Sequence, residues 1–228
     1  MKTIGLIGGM SWVSTAHYYA LINEAVAKAL GGQHSAQIIV HSVDFAPIEA
    51  MQRAGDWKRA GGVLAGIARS LEQQGCGVIG LATNTMHICA TEIAGAIDVP
   101  FLHIATPTAA ALASDGIETV GLLGTRFTME QRFYGDVLEA AGLKVLVPDI
   151  GMTNLNGIIY EELVKNIVRD ESRRTYVDAI TRLQARGAEA VILGCTEIGL
   201  LIDDSVSPIP TYDTTALHAA ALAQAALE

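Results

Sequence analysis

The chain has 228 residues, half of them hydrophobic, and a formal net charge of −9. This is enough apolar material to bury a sizeable core in one large domain or two small ones, in a composition typical of soluble globular proteins. The negative balance, with no basic run longer than Arg173-Arg174, argues against a nucleic-acid surface, and no apolar stretch is long enough to cross a bilayer.

The amino terminus, Met1-Lys2-Thr3-Ile4-Gly5, runs straight into an apolar segment. It lacks the charged start, long apolar run and small-residue cleavage site of a signal peptide, so export is not expected. Three cysteines (Cys76, Cys89, Cys195) make an odd count with no CxxC pair, which suits a reducing compartment better than a disulfide framework and points to the cytoplasm.

Along the first half, short apolar runs with β-branched residues predict strands at Thr3 to Gly8, Gln37 to Val43, Gly77 to Ala82 and Pro100 to Ile104. Helix-period segments lie between them, at about Ser14 to Ala29, Trp57 to Gln74 and His87 to Ile97. The pattern then restarts, with strands expected at Thr119 to Leu123, Val145 to Val147, Ala190 to Gly194 and Ile209 to Tyr212. Its helices are expected at about Pro107 to Ser114, Met129 to Ala141, Ile158 to Asn166 and Arg173 to Ala185, with stops at Gly142 and Gly187. A final Ala-rich helix, Thr214 to Leu227, is expected to pack back onto the first half. Strands that alternate with helices and read as continuous apolar runs indicate buried parallel sheets with right-handed crossovers. The fold class is therefore α/β, with residues 1–105 plus 213–228 forming one domain and 106–212 the other.

The halves also resemble each other in sequence. Ile4-Gly5-Leu6-Ile7-Gly8-Gly9 is matched by Val120-Gly121-Leu122-Leu123-Gly124-Thr125, and Gly80-Leu81-Ala82-Thr83-Asn84-Thr85 by Leu193-Gly194-Cys195-Thr196-Glu197. Such self-similarity indicates duplicated supersecondary units, two small α/β layers related by a pseudo-twofold with a cleft between them. Ligands of open parallel sheets sit at the carboxyl ends of strands. The loops there are Gly8-Gly9-Met10-Ser11, Ser42-Val43-Asp44, Thr83-Asn84-Thr85, Gly124-Thr125 and Cys195-Thr196-Glu197, all small or polar.

Gly8-Gly9 lacks the G-x-G-x-x-G spacing of a dinucleotide site and is not followed by a P-loop lysine. It reads either as a tight strand-to-helix turn or as a small anion site at a helix start. Cys195 reads either as a buried small hydrophobe or as a reactive thiol. Its place at a strand end, before an expected helix start whose dipole is expected to lower the thiol pKa, and next to Thr196 and Glu197, favours the reactive reading. Cys76, in the Gln74-Gly75-Cys76-Gly77 turn, and Cys89, inside a helix, read as structural. His87-x-Cys89, His41, His103 and Cys195 have no zinc-ligand spacing, and His41 and His103 fall on strands expected to be buried, so no metal site is expected. No G-x-S-x-G elbow marks a serine hydrolase.

Taken together, Ile7-Gly8-Gly9-Met10, Thr83-Asn84-Thr85-Met86-His87 and Gly194-Cys195-Thr196-Glu197 resemble, in order and spacing, the motifs of the aspartate/glutamate racemase family. The resemblance covers essentially the whole chain. It implies a cofactor-independent amino-acid racemase of two similar α/β domains, with the active site between them and commonly a homodimer. In that family two cysteines flank the substrate α-carbon, one in a C-N-T motif and one in G-C-T. Carried over, the second is Cys195, and the first falls on Thr83, as in an atypical Thr/Cys subgroup. The resemblance further implies that Cys195 faces the α-proton of the L-enantiomer and Thr83 the opposite face. Met10, Gln52, Asn84, Thr85, Thr125, Thr196 and Glu197 are the candidate substrate-binding residues; for Gln52 a solvent-facing helix position is the competing reading. The stretch Asp44-Phe45-Ala46-Pro47-Ile48-Glu49 has no basic residue before Arg53, which weakens the expectation of a strictly acidic substrate. A hydantoin racemase, maleate isomerase or decarboxylase on the same scaffold, or a non-catalytic amino-acid binding protein, are the competing functions.

Overall fold

The computed structural model describes all 228 residues, which divide into two compact units, residues 1–104 with 218–228, and residues 105–217. In the first unit the strands β1 (Thr3–Gly8), β2 (Ile38–Ser42), β3 (Cys76–Leu81) and β4 (Phe101–Leu102) form a wholly parallel sheet in the order β2-β1-β3-β4. The second unit repeats this plan. Strands β5 (Thr119–Gly124), β6 (Lys144–Leu146), β7 (Ala190–Gly194) and β8 (Thr211–Asp213) pair in parallel in the order β6-β5-β7-β8.

The central strands are apolar throughout because both of their faces are covered. In the first unit, α2 (Phe45–Ala54) and α3 (Trp57–Gln73) supply Ile48, Leu64, Ile67 and Leu71 to one face, where Ile7, Ile79 and Leu81 meet them. On the other face α1 (Trp12–Leu30) lays Tyr18, Ile22 and Val26 beside Ala219, Leu222, Ala223 and Ala226, against Ile4, Leu6 and Val78. Ala219, Leu222, Ala223 and Ala226 belong to α10 (Thr214–Leu227), whose alanines let it approach closely. A Cβ at Gly80 of β3 would lie 2.6 Å from Leu222 Cδ1. In the second unit α8 (Met152–Glu161) and α9 (Asp170–Ala185) bury Leu155, Ile158, Ile159, Tyr176, Ile180 and Leu183 over Leu123, Val191 and Leu193. Burying each such leucine or isoleucine contributes about 1.5–3 kcal/mol.

Helix starts follow local chemistry. The side chains of Ser11, Asp44, Asp56 and Thr125 accept from backbone N–H groups of the first turns of α1, α2, α3 and α6 (Arg126–Glu130). The segment α2 has no counterpart among the sequence-predicted helices. It forms because Asp44 caps it and Pro47 sits in its first turn, where a proline costs no hydrogen bond. The expected helix from Met129 to Ala141 is two helices, α6 and α7 (Arg132–Ala140), which meet at an extended Gln131. That from Ile158 to Asn166 is shifted toward the amino terminus, as α8.

The helix expected from His87 to Ile97 is a 3-10 turn, Thr85–Cys89, followed by the short α4 (Ala90–Ala94). Cys76 is buried as the first residue of β3 rather than placed in a turn. His41 is exposed, because β2 is an edge strand, and His103 is half-buried just beyond β4. The second unit opens with α5 (Ala105–Ser114), which packs beside α7; there the buried Tyr134 hydroxyl donates to Thr108.

Candidate active site

Each unit presents its candidate residues at the carboxyl edge of its sheet, and the strand register aligns the two sets. Leu81 of β3 pairs with Ile7 of β1, and Leu193 of β7 pairs with Leu123 of β5. Thr83 and Cys195 each lie two residues beyond that leucine, so they occupy equivalent positions of the duplicated unit.

In the first unit β1 ends in a tight turn. Gly9 has φ +94°, and a Cβ there would fall on the backbone of Val43. Its N–H donates to Thr15 Oγ1 at 2.8 Å, and that hydroxyl in turn donates to the Ser11 carbonyl at 2.9 Å. The Gly9 amide is therefore spent inside the protein, which makes the pair a structural turn and removes one donor from an anion site. Met10 follows, buried in one cluster with Ile48 and Met86. Gln52 is only 4% exposed rather than solvent-facing, with its Nε2 2.8 Å from Met86 Sδ, and so joins α2 to the loop after β3.

That loop descends into the unit. Asn84, Thr85, Met86 and His87 are all buried, while Thr83 is the half-buried residue among them. The ring of His87 turns back on the same loop, with Nδ1 2.8 Å from the Thr83 carbonyl oxygen, and Nε2 accepts from the Ile104 N–H at 3.2 Å. A carbonyl accepts only from an N–H, so the proton is on Nδ1. His103 and His218 lie close by, with ring centroids 4.6 and 5.9 Å from that of His87. Burial first, then the two neighbouring imidazoles, push His87 well below the usual histidine range, against the opposing pull of the Thr83 and Asn84 carbonyls. The sequence singled out His87 within its motif without a role; the i to i+4 step from Thr83 is the signal that links them.

In the second unit Thr125 caps α6 by accepting from the Thr128 N–H at 3.3 Å, and its Oγ1 lies 3.1 Å from Thr128 Oγ1. After β7 the chain makes a 3-10 turn, Ile198–Leu200, of three residues instead of the expected helix. Cys195 is buried. Its thiol donates to Glu197 Oε2 at 3.2 Å, and the Thr196 hydroxyl donates to the same oxygen at 2.5 Å. No helix dipole lowers this thiol. Burial, then the Glu197 charge, hold Cys195 well above the usual thiol range, so the expectation of a depressed pKa is reversed. Tyr176 is the nearby titratable group missed by the sequence; its buried hydroxyl donates to the Leu155 carbonyl, and burial first, then the neighbouring Cys195, push it far up. Cys89 is likewise pushed up to about 12 by burial and Glu92, which leaves it inert.

The arrangement thus offers a half-buried hydroxyl at the carboxyl edge of one sheet, and at the equivalent position of the other a buried thiol with a proton-accepting carboxylate in contact.

A sequence profile of the Asp/Glu/hydantoin racemase family matches residues 7–222. The chain is 24% identical over 216 residues to the broad specificity amino-acid racemase RacX of Bacillus subtilis strain 168, covering 93% of each chain. Among solved structures it is similar, over the whole of both chains, to an Asp/Glu racemase candidate of Yersinia pestis, at 49% identity with a TM-score of 0.94. It is also similar, again over both whole chains, to an aspartate racemase homologue of Pyrococcus horikoshii OT3, at 32% identity with a TM-score of 0.87. The duplicated parallel α/β architecture is common to these relatives. The chain therefore belongs to the Asp/Glu/hydantoin racemase family.

Proposed function

We propose that the protein is a cofactor-independent amino-acid racemase, with Cys195 and Thr83 acting on opposite faces of the substrate α-carbon. The observation that carries this reading is the equivalent position of the two residues in the duplicated unit, one a thiol and the other a hydroxyl. Racemisation needs a base on one face and a proton donor on the other, which two such edges supply.

In the forward direction the thiol proton of Cys195 passes to Glu197 Oε2, leaving a thiolate. The positive substrate ammonium favours that anionic pair. The thiolate takes the α-proton of the L-enantiomer, and the electron pair of the broken C–H bond spreads into the substrate carboxylate. Asn84, Thr85 and Thr196 hold that carboxylate as its charge grows. Thr83 Oγ1 then donates its proton to the opposite face, forming the new C–H bond, and regains a proton from water; the proton held by Glu197 passes to the hydroxide left behind, which restores the carboxylate beside the Cys195 thiol. A threonine hydroxyl is a much weaker base than a thiolate, so proton removal is faster from the L-enantiomer than from the D-enantiomer.

Substrate choice extends to non-acidic amino acids. Supporting this, Arg53, the first basic residue after β2, is 77% exposed and paired with Glu49 across 2.5 Å. Met10 and Gln52 contribute to the binding surface of the first unit and Thr125 to that of the second. Three free buried cysteines suit a reducing, cytoplasmic setting, and a homodimer belongs to the same reading.

The test is a panel of L- and D-amino acids, including aspartate and glutamate, with 5-substituted hydantoins and maleate as further arms. Each is incubated in heavy water without added cofactor and followed by NMR for α-proton loss and by chiral chromatography. Conversion of an amino acid, with faster exchange from the L-form, is expected. Binding without exchange, or turnover confined to hydantoin or maleate, overturns the reading.

A further inference from the structure

We infer that His87 is a positioning residue for Thr83, holding the Thr83 peptide by a fixed neutral tautomer and thereby setting the hydroxyl side of the proposed reaction. The inference rests on the racemase reading above and assigns within it a residue that touches no reacting atom.

The geometry leaves the ring one arrangement. Nδ1–H donates to the Thr83 carbonyl at 2.8 Å, and Nε2 accepts from the Ile104 N–H at 3.2 Å. Turning the ring over would set Nε2 toward the carbonyl and Nδ1 toward the amide, with both reaches altered. Protonation would set an N–H against the Ile104 N–H. The alternative charge states are disfavoured by burial and by the neighbouring His103 and His218 rings.

A second histidine braces the far side of the same strand exit. His218 Nε2 donates to the Leu102 carbonyl at 2.9 Å, which makes Nδ1 the acceptor of the Tyr18 hydroxyl, also at 2.9 Å. The segment Leu102 to Ile104 is thus held by His218 at its first residue and by His87 at its last. Through His87 this rigid exit of β4 is tied to the loop after β3. The Thr83 carbonyl lies beyond the strand ladder and before the regular 3-10 turn, which begins with the His87 N–H donating to Asn84 O at 3.0 Å. The His87 side chain thus extends the backbone bonding of the turn by one carbonyl.

Because a peptide unit is planar, anchoring that carbonyl fixes ψ of Thr83 and the direction of the following Asn84 N–H. A donor used only for reprotonation is sensitive to such placement, since small displacements of a reacting group are costly. The thiol side, built on Cys195 and Glu197 in the other unit, does not depend on this bond.

The experiment separates the two faces. Wild type, His87→Leu and His87→Asn are incubated in heavy water with an L-amino acid that wild type converts, and α-proton wash-out and conversion to the D-form are measured separately. In His87→Leu, conversion is expected to fall about tenfold or more, while wash-out from the L-form stays within about threefold of wild type. His87→Asn, whose amide Nδ2 can reproduce the Nδ1–H donor, is expected to recover a large part of the conversion. Equal loss of both readouts in a folded Leu variant, no loss of conversion, or no recovery with Asn overturns the positioning role.

Should the Leu variant fail to fold, ¹⁵N-histidine NMR of the wild type decides. An Nδ1-protonated, Nε2-unprotonated His87 at pH 7 is expected, and the reverse tautomer or an imidazolium overturns the inference. A wild type that neither exchanges nor converts any amino acid removes the racemase reading itself. A wild type that racemises beside an indistinguishable Leu variant removes only the role of His87.

Discussion

The Cys195 thiol lies 3.2 Å from Glu197 Oε2 and donates to it, and that carboxylate oxygen also accepts from the Thr196 hydroxyl. The thiol is therefore stored protonated beside its own proton acceptor. Its pKa is held up by burial and by the Glu197 charge, so the resting state is a neutral thiol with an anionic carboxylate. Proton transfer within the pair leaves the net charge unchanged, which is the least costly way to make a thiolate in a buried place.

Replacing Glu197 by Gln separates the two roles of that carboxylate. Its charge raises the thiol pKa, so removing it lowers that pKa and increases the thiolate fraction at a given pH. Alkylation of Cys195 by iodoacetamide, mapped by mass spectrometry, is expected to speed up in Glu197→Gln. Turnover is expected to fall about 10²-fold, because the acceptor for the thiol proton is gone. Slower alkylation together with unchanged turnover would contradict this account.

Cys195→Ser substitutes a hydroxyl of much higher pKa. Loss of turnover by about 10³-fold or more is expected, together with loss of deuterium wash-out from the L-enantiomer. Circular dichroism should show an unchanged fold, since the side chains are nearly isosteric. Retained wash-out would move the L-face base elsewhere.

At Thr83 the two substitutions should act in opposite directions. Thr83→Ala removes the donor and is expected to abolish conversion while wash-out from the L-form persists. Thr83→Cys restores a thiol at the equivalent position of the duplicated unit and is expected to keep or raise D-to-L turnover. The ratio of initial rates from the two pure enantiomers measures both effects.

Acid stability should follow the buried histidines. Burial lowers His103 to about 4 and, with the added charge of His103, lowers His218 to about 4, from 6.5 in the unfolded chain. A folded-state pKa below the unfolded one means that the unfolded chain binds more protons between the two values. The stabilisation is then complete above about pH 6.5 and is lost as pH falls toward 4, at up to about 1.4 kcal/mol per pH unit for each histidine. Urea midpoints measured from pH 7 to pH 4 should fall steadily across that window, and a flat profile would rule the effect out.

The fold was legible where a single pattern dominated. The bounds of β1, β7 and α10 match the sequence expectation residue for residue, because an uninterrupted apolar run or an Ala-rich segment leaves little choice of local structure. Weak or mixed patterns failed. The segment α2 carries Pro47 and Glu49 among small residues and became a helix through its Asp44 cap, while Gln131 interrupted an apparently continuous helix by turning extended. Both outcomes depend on backbone hydrogen bonds that periodicity does not register. The edge position of β2, which leaves His41 exposed, follows from strand order and so from the whole sheet.

For the candidate site, the residue types and their duplication were written in the sequence by themselves. Thr83 and Cys195 follow matching apolar strands, and counting along the repeat already sets them in register. The tertiary structure alone decided their chemical state. Burial and Glu197 raise the Cys195 thiol where a helix start was expected to lower it, and the amide of Ile104, brought in by β4, selects the His87 tautomer that grips the Thr83 carbonyl. Spacing along a chain specifies which groups recur, whereas proton affinity depends on desolvation and on partners distant in sequence, which exist only once the chain has folded.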